Sequence, residues 1–205
     1  MNYRESDVIK NLERESFSET QTLEERKALI LMKLRNYKLI KREEQENKIR
    51  FVVKARAGKN AVIECILNCR VVGVAFVRNL KKFIDASKFE RGVMIANVRY
   101  TWAAKREAKK CSIELIPRLF PSFNIFQHKL VPKHEILPLE KVKALLQKYH
   151  IAAHQLPQIK SSDVAVIAIG ARPGDIIKIT RESPTAGKHV AYRLVIVDPK
   201  AKIKL

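Results

Sequence analysis

Four apolar, β-branched runs, "IRFVVKAR", "NAVIECIL", "CRVVGVAFV" and "RGVMIANV", lie between Ile49 and Val98 and constrain this chain more than anything else in it. Val, Ile and Phe pack well on a pleated, half-buried surface. Ala-Gly-Lys-Asn and Asn-Cys-Arg punctuate the first three runs, which therefore read as strand, turn, strand, connection, strand. Helical spacing surrounds them. In "TLEERKALILMKLRNYKLI" Thr22 is a cap candidate, Glu25 three residues on completes a capping box, and Leu23, Leu29, Leu31 and Leu34 recur at helical intervals. "KREEQENK" then reads as a charged loop. "NLKKFIDASKF" and "TWAAKREAKKC" read as helices, and "SIELIPRLFPSFNIF" as a strand that Pro117 and Pro121 interrupt. Strands and helices in this order predict an α/β or α+β domain to about residue 127.

The texture then changes. Pro132 forces the preceding Val131 to be extended, and Pro138 is placed to open the helix "LEKVKALLQKY" at its first position. Leu139, Val142, Leu145, Leu146 and Tyr149 line one face of that helix. Asp163 is a cap for a short apolar helix, "VAVIAIG", with Gly170 placed to end it. "RPGD" is a turn with Pro173 at its second position and Gly174 supplying positive φ. "DIIKITRE" and "HVAYRLVIV" are two strands joined by "SPTAGK". The fold class expected is α+β, in two parts: 1–127, built on a central sheet, and 128–205, a smaller α+β module.

Charge carries the next constraint. The 205 residues hold 41 Lys and Arg against 21 Asp and Glu, a net +20. Residues 1–47 are neutral, with 10 of each sign, and residues 48–127 carry 17 basic and 5 acidic side chains. Charge segregated in this way points to a polyanion, held by counterion release and long-range attraction. No run reaches the ~18 apolar residues of a membrane span, and the N-terminus, with acids throughout and no apolar h-region, is not a secretory signal. Cys65, Cys69 and Cys111 cannot all pair with one another, and read as reduced thiols of an intracellular protein.

The chemical motifs mostly fail on spacing. Ala186-Gly187-Lys188 imitates a phosphate loop, but Glu182 stands where the first glycine belongs and His189 where Ser or Thr belongs. Pro184 and Gly187 instead shape a reversal between two strands. Cys65-x₃-Cys69 and His150-x₃-His154 imitate zinc pairs, yet 80 residues separate them where a finger allows about 12–15. A metal-dependent nuclease needs clustered carboxylates. Residues 48–127 offer only Glu64, Asp85, Glu90, Glu107 and Glu114, of which Glu64 alone lies inside a strand-like run, with no Asp and no Glu-x-Lys pair near it. Read from its residues, the chain is a basic, two-part, non-catalytic protein needing no metal, cofactor or small-molecule substrate.

From His128 onward, "HKLVPKHEIL", "LPQI", Ser162-Asp163 and "AIGARPGDIIKITRESPTAGKHVAYRLV" resemble the fifth subunit shared by eukaryotic nuclear RNA polymerases and its shorter archaeal counterpart. Val164 and Ile167 depart from the family pattern, which has a proline and a polar residue there. Residues 1–127 resemble the eukaryotic subunit's N-terminal jaw domain in length and element order alone. The resemblance implies a non-catalytic subunit of a DNA-directed RNA polymerase. Its C-terminal module would dock on the largest subunit and bind other polymerase subunits. The docking candidates are His128, Pro132, His134, Gly174, Asp175, Arg181, Thr185, Gly187, Tyr192 and Arg193. The jaw would lie near downstream double-stranded DNA, with Arg99, Lys105, Arg106, Lys109 and Lys110 as phosphate contacts. Such a diverged jaw on a well-matched module points to a large DNA virus encoding its own polymerase, acting in host cytoplasm and virion; a cellular copy would be nuclear. The alternative is a free-standing basic nucleic-acid-binding protein.

Overall fold

Local signals set the first elements of the N-terminal unit. Thr22 is extended and its Oγ1 accepts the Glu25 N–H at 3.3 Å, which starts helix α1, Leu23–Arg35. Asn36 ends it in the left-handed region at φ 52°, a conformation Asn tolerates. Glu25 does not close the expected capping box. Its carboxylate instead accepts Nε and Nη2 of Arg42 at 3.1 and 3.0 Å. The computed structural model describes residues 21–55, 58, 60–183 and 187–198, and within these the chain divides into two units after Phe123.

Strand β1, Lys38–Gln45, pairs antiparallel with β2, Lys48–Lys54, across a Glu46-Asn47 turn. The segment read as a charged loop is thus mostly strand. β1 lies at the sheet edge, so its outer side needs no apolar period, and its charges satisfy one another: Lys41 with Glu43 and Arg42 with Glu44, both at 2.8 Å. Charged edges of this kind also deter pairing with other chains.

β3, Asn60–Ile66, runs antiparallel to β2, and Gly58 turns between them at φ 75°. After the two-residue β4, Val71–Val72, comes helix α2, Val74–Ala86. This corrects the reading of "CRVVGVAFV" as a strand. Gly73 stops the extension, and Val77, Leu80 and Ile84 then fall on one helical face that is buried against the sheet. Packing overrides the β-branched preference of Val77 and Ile84. β5, Arg91–Ala96, pairs parallel with β3. β6, Arg99–Tyr100, pairs parallel with β4 and leads into helix α3, Trp102–Lys110. β7, Ile113–Ile116, pairs parallel with β5 and stops before Pro117. The main sheet has the order β1-β2-β3-β5-β7.

Val62, Ile66, Met94, Ala96 and Ile113 meet Val77, Leu80 and Ile84 of α2 and Ala104 and Ala108 of α3 on one face of this sheet. The alternate residues Phe51, Ile63 and Ile95 are also fully buried, and α1 lies across β3 and β5, with the Cys65 thiol donating to the Glu24 carbonyl at 3.5 Å. Close approach explains one glycine: a Cβ on Gly92 would sit 2.3 Å from Ile84 Cδ1. Gly92→Ala is expected to cost the N-terminal unit about 1–2 kcal/mol. Adding Ile84→Val, which removes that methyl, should recover part of the thermal midpoint. An unshifted midpoint in the single variant contradicts this packing.

The C-terminal unit is a second mixed sheet, ordered β8-β10-β11-β9. A 3₁₀ turn, Ile125–Gln127, precedes β8, Lys133–Ile136, and helix α4, Leu139–Tyr149. Pro138 is the residue before that helix and not its first (ψ 150°). β9, Gln158–Lys160, and helix α5, Val164–Ile169, follow. Asp163 Oδ1 caps α5 by accepting the Ala165 N–H at 2.8 Å, and Gly170 ends it at φ 74°. β10, Ile176–Ser183, and β11, Gly187–Ile196, are antiparallel, from Ile176↔Leu194 to Ser183↔Gly187. β8 pairs antiparallel with β10, and β9 parallel with β11.

Leu145 of α4 meets Leu156, Ile176, Tyr192 and Leu194 on one face of this sheet. Val166 of α5 meets Ile159, Ile177, Ile179 and Val195 on the other. Leu139 and Tyr149, expected on the buried stripe of α4, are 70% and 54% exposed. They lie at the two ends of the helix, beyond the cluster gathered round Leu145. The fold is mixed α+β in both units. Cys65, Cys69 and Cys111 are free thiols, and burial pushes the Cys65 thiol well up. No helix among the described residues is long and apolar enough to cross a membrane.

Candidate nucleic-acid and docking surfaces

Helix α3 begins where Thr101 Oγ1 accepts the Ala104 N–H at 3.1 Å, and Lys109 and Lys110 in its last turn complement the helix dipole. Ala104 and Ala108 are the buried pair that seats it. At 100° per residue, Trp102, Arg106, Lys109 and Lys110 fall on the side away from those alanines and Lys105 on its flank, and all five are exposed. Arg99, also exposed, lies on β6 immediately before the cap. The chain thus gathers the five expected phosphate contacts on one helix and the strand leading into it. Arg78 of α2 reaches Glu107 at 3.2 Å, so the one acid of α3 is engaged at its flank.

Sequence reasoning missed one residue there. Trp102 is 55% exposed, and the Arg106 guanidinium lies 4.8 Å from its ring centroid. The available signal was an i, i+4 Trp–Arg pair in a basic helix.

Glu64, the acid singled out for the nuclease reading, is buried on β3 and ion-paired with Arg50, its direct cross-strand partner. Phe83 of α2 covers the guanidinium at 4.2 Å. A cavity of about 270 Å³ opens beside Glu64, walled by Asn47, Lys48, Ile66 and Phe76 among others. Glu114 accepts two bonds from Arg35, at 2.8 and 2.5 Å. Burial works against the Arg35 charge, and Glu114 outweighs it, leaving the guanidinium pKa raised. Asp85 is 2.6 Å from Lys81. Among the described residues no group of three or more His, Cys, Asp or Glu is placed to hold a metal ion.

The expected docking residues separate into two kinds. Some are built into the C-terminal fold. Gly174 takes φ 98° and donates its N–H to Val195 O at 2.9 Å, and Asp175 accepts the Arg172 N–H at 2.7 Å, so the two make the turn before β10. Tyr192 packs with the α4 cluster. His134 Nδ1 faces Pro132 O at 2.7 Å; a carbonyl only accepts, so that nitrogen carries the proton. Gly187 has φ 63°, and a Cβ there would meet nothing within 4 Å, so its backbone and not its surroundings asks for glycine.

The others are presented outward. His128, whose Nδ1 accepts the Leu130 N–H at 3.2 Å, is exposed, as are Arg181 and Arg193. By strand alternation His134, Arg181, His189 and Arg193 share the α5 side of the sheet, through the pairs His134↔Ile179, Arg181↔His189 and Ile177↔Arg193. Arg193 Nη1 also donates to Gln158 O at 3.3 Å, tying β9 to β11. Thr185, with Pro184, lies outside the described residues.

Comparison with known proteins divides the chain in the same place. The family model described as RNA polymerase Rpb5, C-terminal domain, matches residues 123–195. The DNA-directed RNA polymerase subunit Rpo5 of Pyrococcus abyssi is 63% identical over 76 residues, covering 37% of this chain and 93% of the relative. That of Methanocaldococcus jannaschii is 50% identical over 72 residues, covering 35% and 92%. A model described as restriction endonuclease matches residues 20–119. A solved structure titled a repair endonuclease from Pyrococcus abyssi aligns at TM-score 0.36 and 22% identity, over 49% of this chain and 48% of that one.

Proposed function

Because the chain belongs, through residues 123–195, to the Rpb5/Rpo5 family of RNA polymerase subunits, we propose that it is a non-catalytic subunit of a multisubunit DNA-directed RNA polymerase. The observation that carries this is 63% identity across 93% of an archaeal Rpo5. The C-terminal unit docks on the largest subunit, and the N-terminal unit acts as a basic jaw beside downstream duplex DNA. The outward side chains His128, Arg181 and Arg193 make the docking contacts, while Gly174, Asp175, Gly187 and Tyr192 hold the hairpin that presents them. What supports the jaw is the exposed basic face of α3 and the net +12 of residues 48–127. Phosphate contacts from such a face hold DNA without reading its sequence.

Two experiments test the two halves of this reading. The tagged full chain should recover the largest polymerase subunit; recovery of the chain without any polymerase subunit overturns the docking reading in favour of a free-standing nucleic-acid-binding protein. For the jaw, Gln at Lys105, Arg106, Lys109 and Lys110 together should flatten the log affinity versus log salt slope for duplex DNA by about 3–4. An unchanged slope removes the DNA contact from α3.

The restriction-endonuclease match over residues 20–119 favours a second reading, a nuclease. Weighing against it, Glu64 is ion-paired with Arg50, Glu114 with Arg35, Glu107 with Arg78 and Asp85 with Lys81, and no group of three or more His, Cys, Asp or Glu among the described residues is placed to hold a metal ion. The compartment follows the polymerase that the chain joins. A virus-encoded copy would act in host cytoplasm and virion and a cellular one in the nucleus; the archaeal relatives add no support for the viral origin.

A further inference from the structure

The basic face of α3 differs from an ordinary phosphate-binding helix in one respect. Cations alone would hold a backbone, yet an aromatic ring stands among them. Trp102 is 55% exposed, although most large apolar residues of this unit are buried, Val93, Met94 and Ile95 of β5 among them. One ring face is already met by Arg106 at 4.8 Å, a contact that orients the indole without covering it. Lys105 and Lys109 sit one turn and two turns further along the same side, about 10 Å of helix from the Trp. Nothing acidic interrupts that side, since Glu107 points to Arg78.

The placement in the fold gives a second argument. β3, β5 and β7 are parallel, and α3 starts beyond the carboxyl end of β5, with Arg99 on the connecting strand. Crevices outside the carboxyl ends of parallel strands are where open α/β sheets receive ligands. Trp102 is the first residue of the helix that rises from there.

We infer that Trp102, backed by Arg106, is a stacking platform for an unpaired nucleobase, with Lys105, Lys109, Lys110 and Arg99 holding the adjoining phosphates. This rests on the reading of α3 as the nucleic-acid face, and deepens it by naming the ligand as single-stranded nucleic acid. An indole face accepts any base, so the platform is tolerant of sequence. Paired bases present no free face, so a continuous duplex engages the cations alone.

Trp102 is the chain's only tryptophan, which makes its emission a direct reporter in the intact protein. The probes are oligo-dT, the matching oligo-rU, a relaxed closed-circular duplex without ends, and heparin as a polyanion without bases. Oligo-dT should quench the emission strongly, the duplex and heparin weakly. Trp102→Ala should weaken oligo-dT binding about tenfold or more and leave duplex binding within about twofold, since only the cations hold it; Trp102→Phe, which keeps a ring, should fall between. Equal quenching by oligo-rU extends the site to RNA. If both nucleic acids bind in a salt-dependent way but no strand quenches Trp102 and the Ala variant binds oligo-dT normally, the stacking platform is overturned while the basic face stands. If nothing binds even at low salt, the basic face itself is overturned, and the platform with it.

Discussion

Glu64→Ala is expected to lower the stability of the N-terminal unit by about 3–5 kcal/mol, because it leaves the Arg50 guanidinium charged and uncompensated beneath α2. The side chains of the pair are 11% and 2% exposed, they face each other directly across β2 and β3, and Phe83 closes over the guanidinium. The cavity beside Glu64 lies on the carboxylate's side of the pair, while the guanidinium that loses its partner stays under Phe83. The pair itself need not be a net gain, since taking two charges out of water costs about as much as their attraction returns. Replacing both at once, with Arg50→Met and Glu64→Leu, should therefore restore most of the lost stability. Trp102 lies in this unit, so its emission during urea unfolding of the whole chain reports the unit in question. A single variant whose midpoint does not move, together with a Mg²⁺-dependent cleavage that the same substitution abolishes, would assign Glu64 to catalysis.

The second large effect concerns the C-terminal unit. Residues 124–205 alone should bind the polymerase as the full chain does, and residues 1–123 should not. The unit carries its own four-stranded sheet with a cluster on each face, and relatives matched over 92–93% of their length are no more than this unit. Within it, Arg181→Glu with Arg193→Glu should weaken binding at least about 30-fold, the effect of removing one strong interfacial anchor. Neither guanidinium belongs to a core cluster, and the one bond lost is the long, exposed one from Arg193 to Gln158 O, so near-native thermal unfolding should accompany the loss. Binding retained by that double variant moves the docking face away from the α5 side of the hairpin. Binding retained by residues 1–123 places it in the other unit.

Much of this was legible where a single residue decides a local geometry. Thr22 and Asp163 cap the helices that follow them, and Gly170 and Gly174 take the left-handed conformations their positions demand. The long hairpin of β10 and β11 was legible as two apolar runs and as a family signature. What was not legible depends on partners far along the chain. β1 hides in "KREEQ" because an edge strand needs no apolar alternation, and "VAFV" turns helical because Val77 must share a face with Leu80 and Ile84. Arg50 with Glu64 and Arg35 with Glu114 join residues 14 and 79 positions apart, and no spacing rule links them. Trp102 was visible as a letter in a basic helix; its exposure and its contact with Arg106 needed the fold.

Membership of a working polymerase is met directly by one measurement. The full chain, tagged and expressed in the cells or infected cells that make it, is purified at moderate salt after nuclease treatment, and its companions are identified by mass spectrometry. The largest polymerase subunit is expected in an amount comparable to the chain, together with other polymerase subunits. Recovery of the chain alone under those conditions, with nucleic acid as its only companion before nuclease treatment, would contradict it.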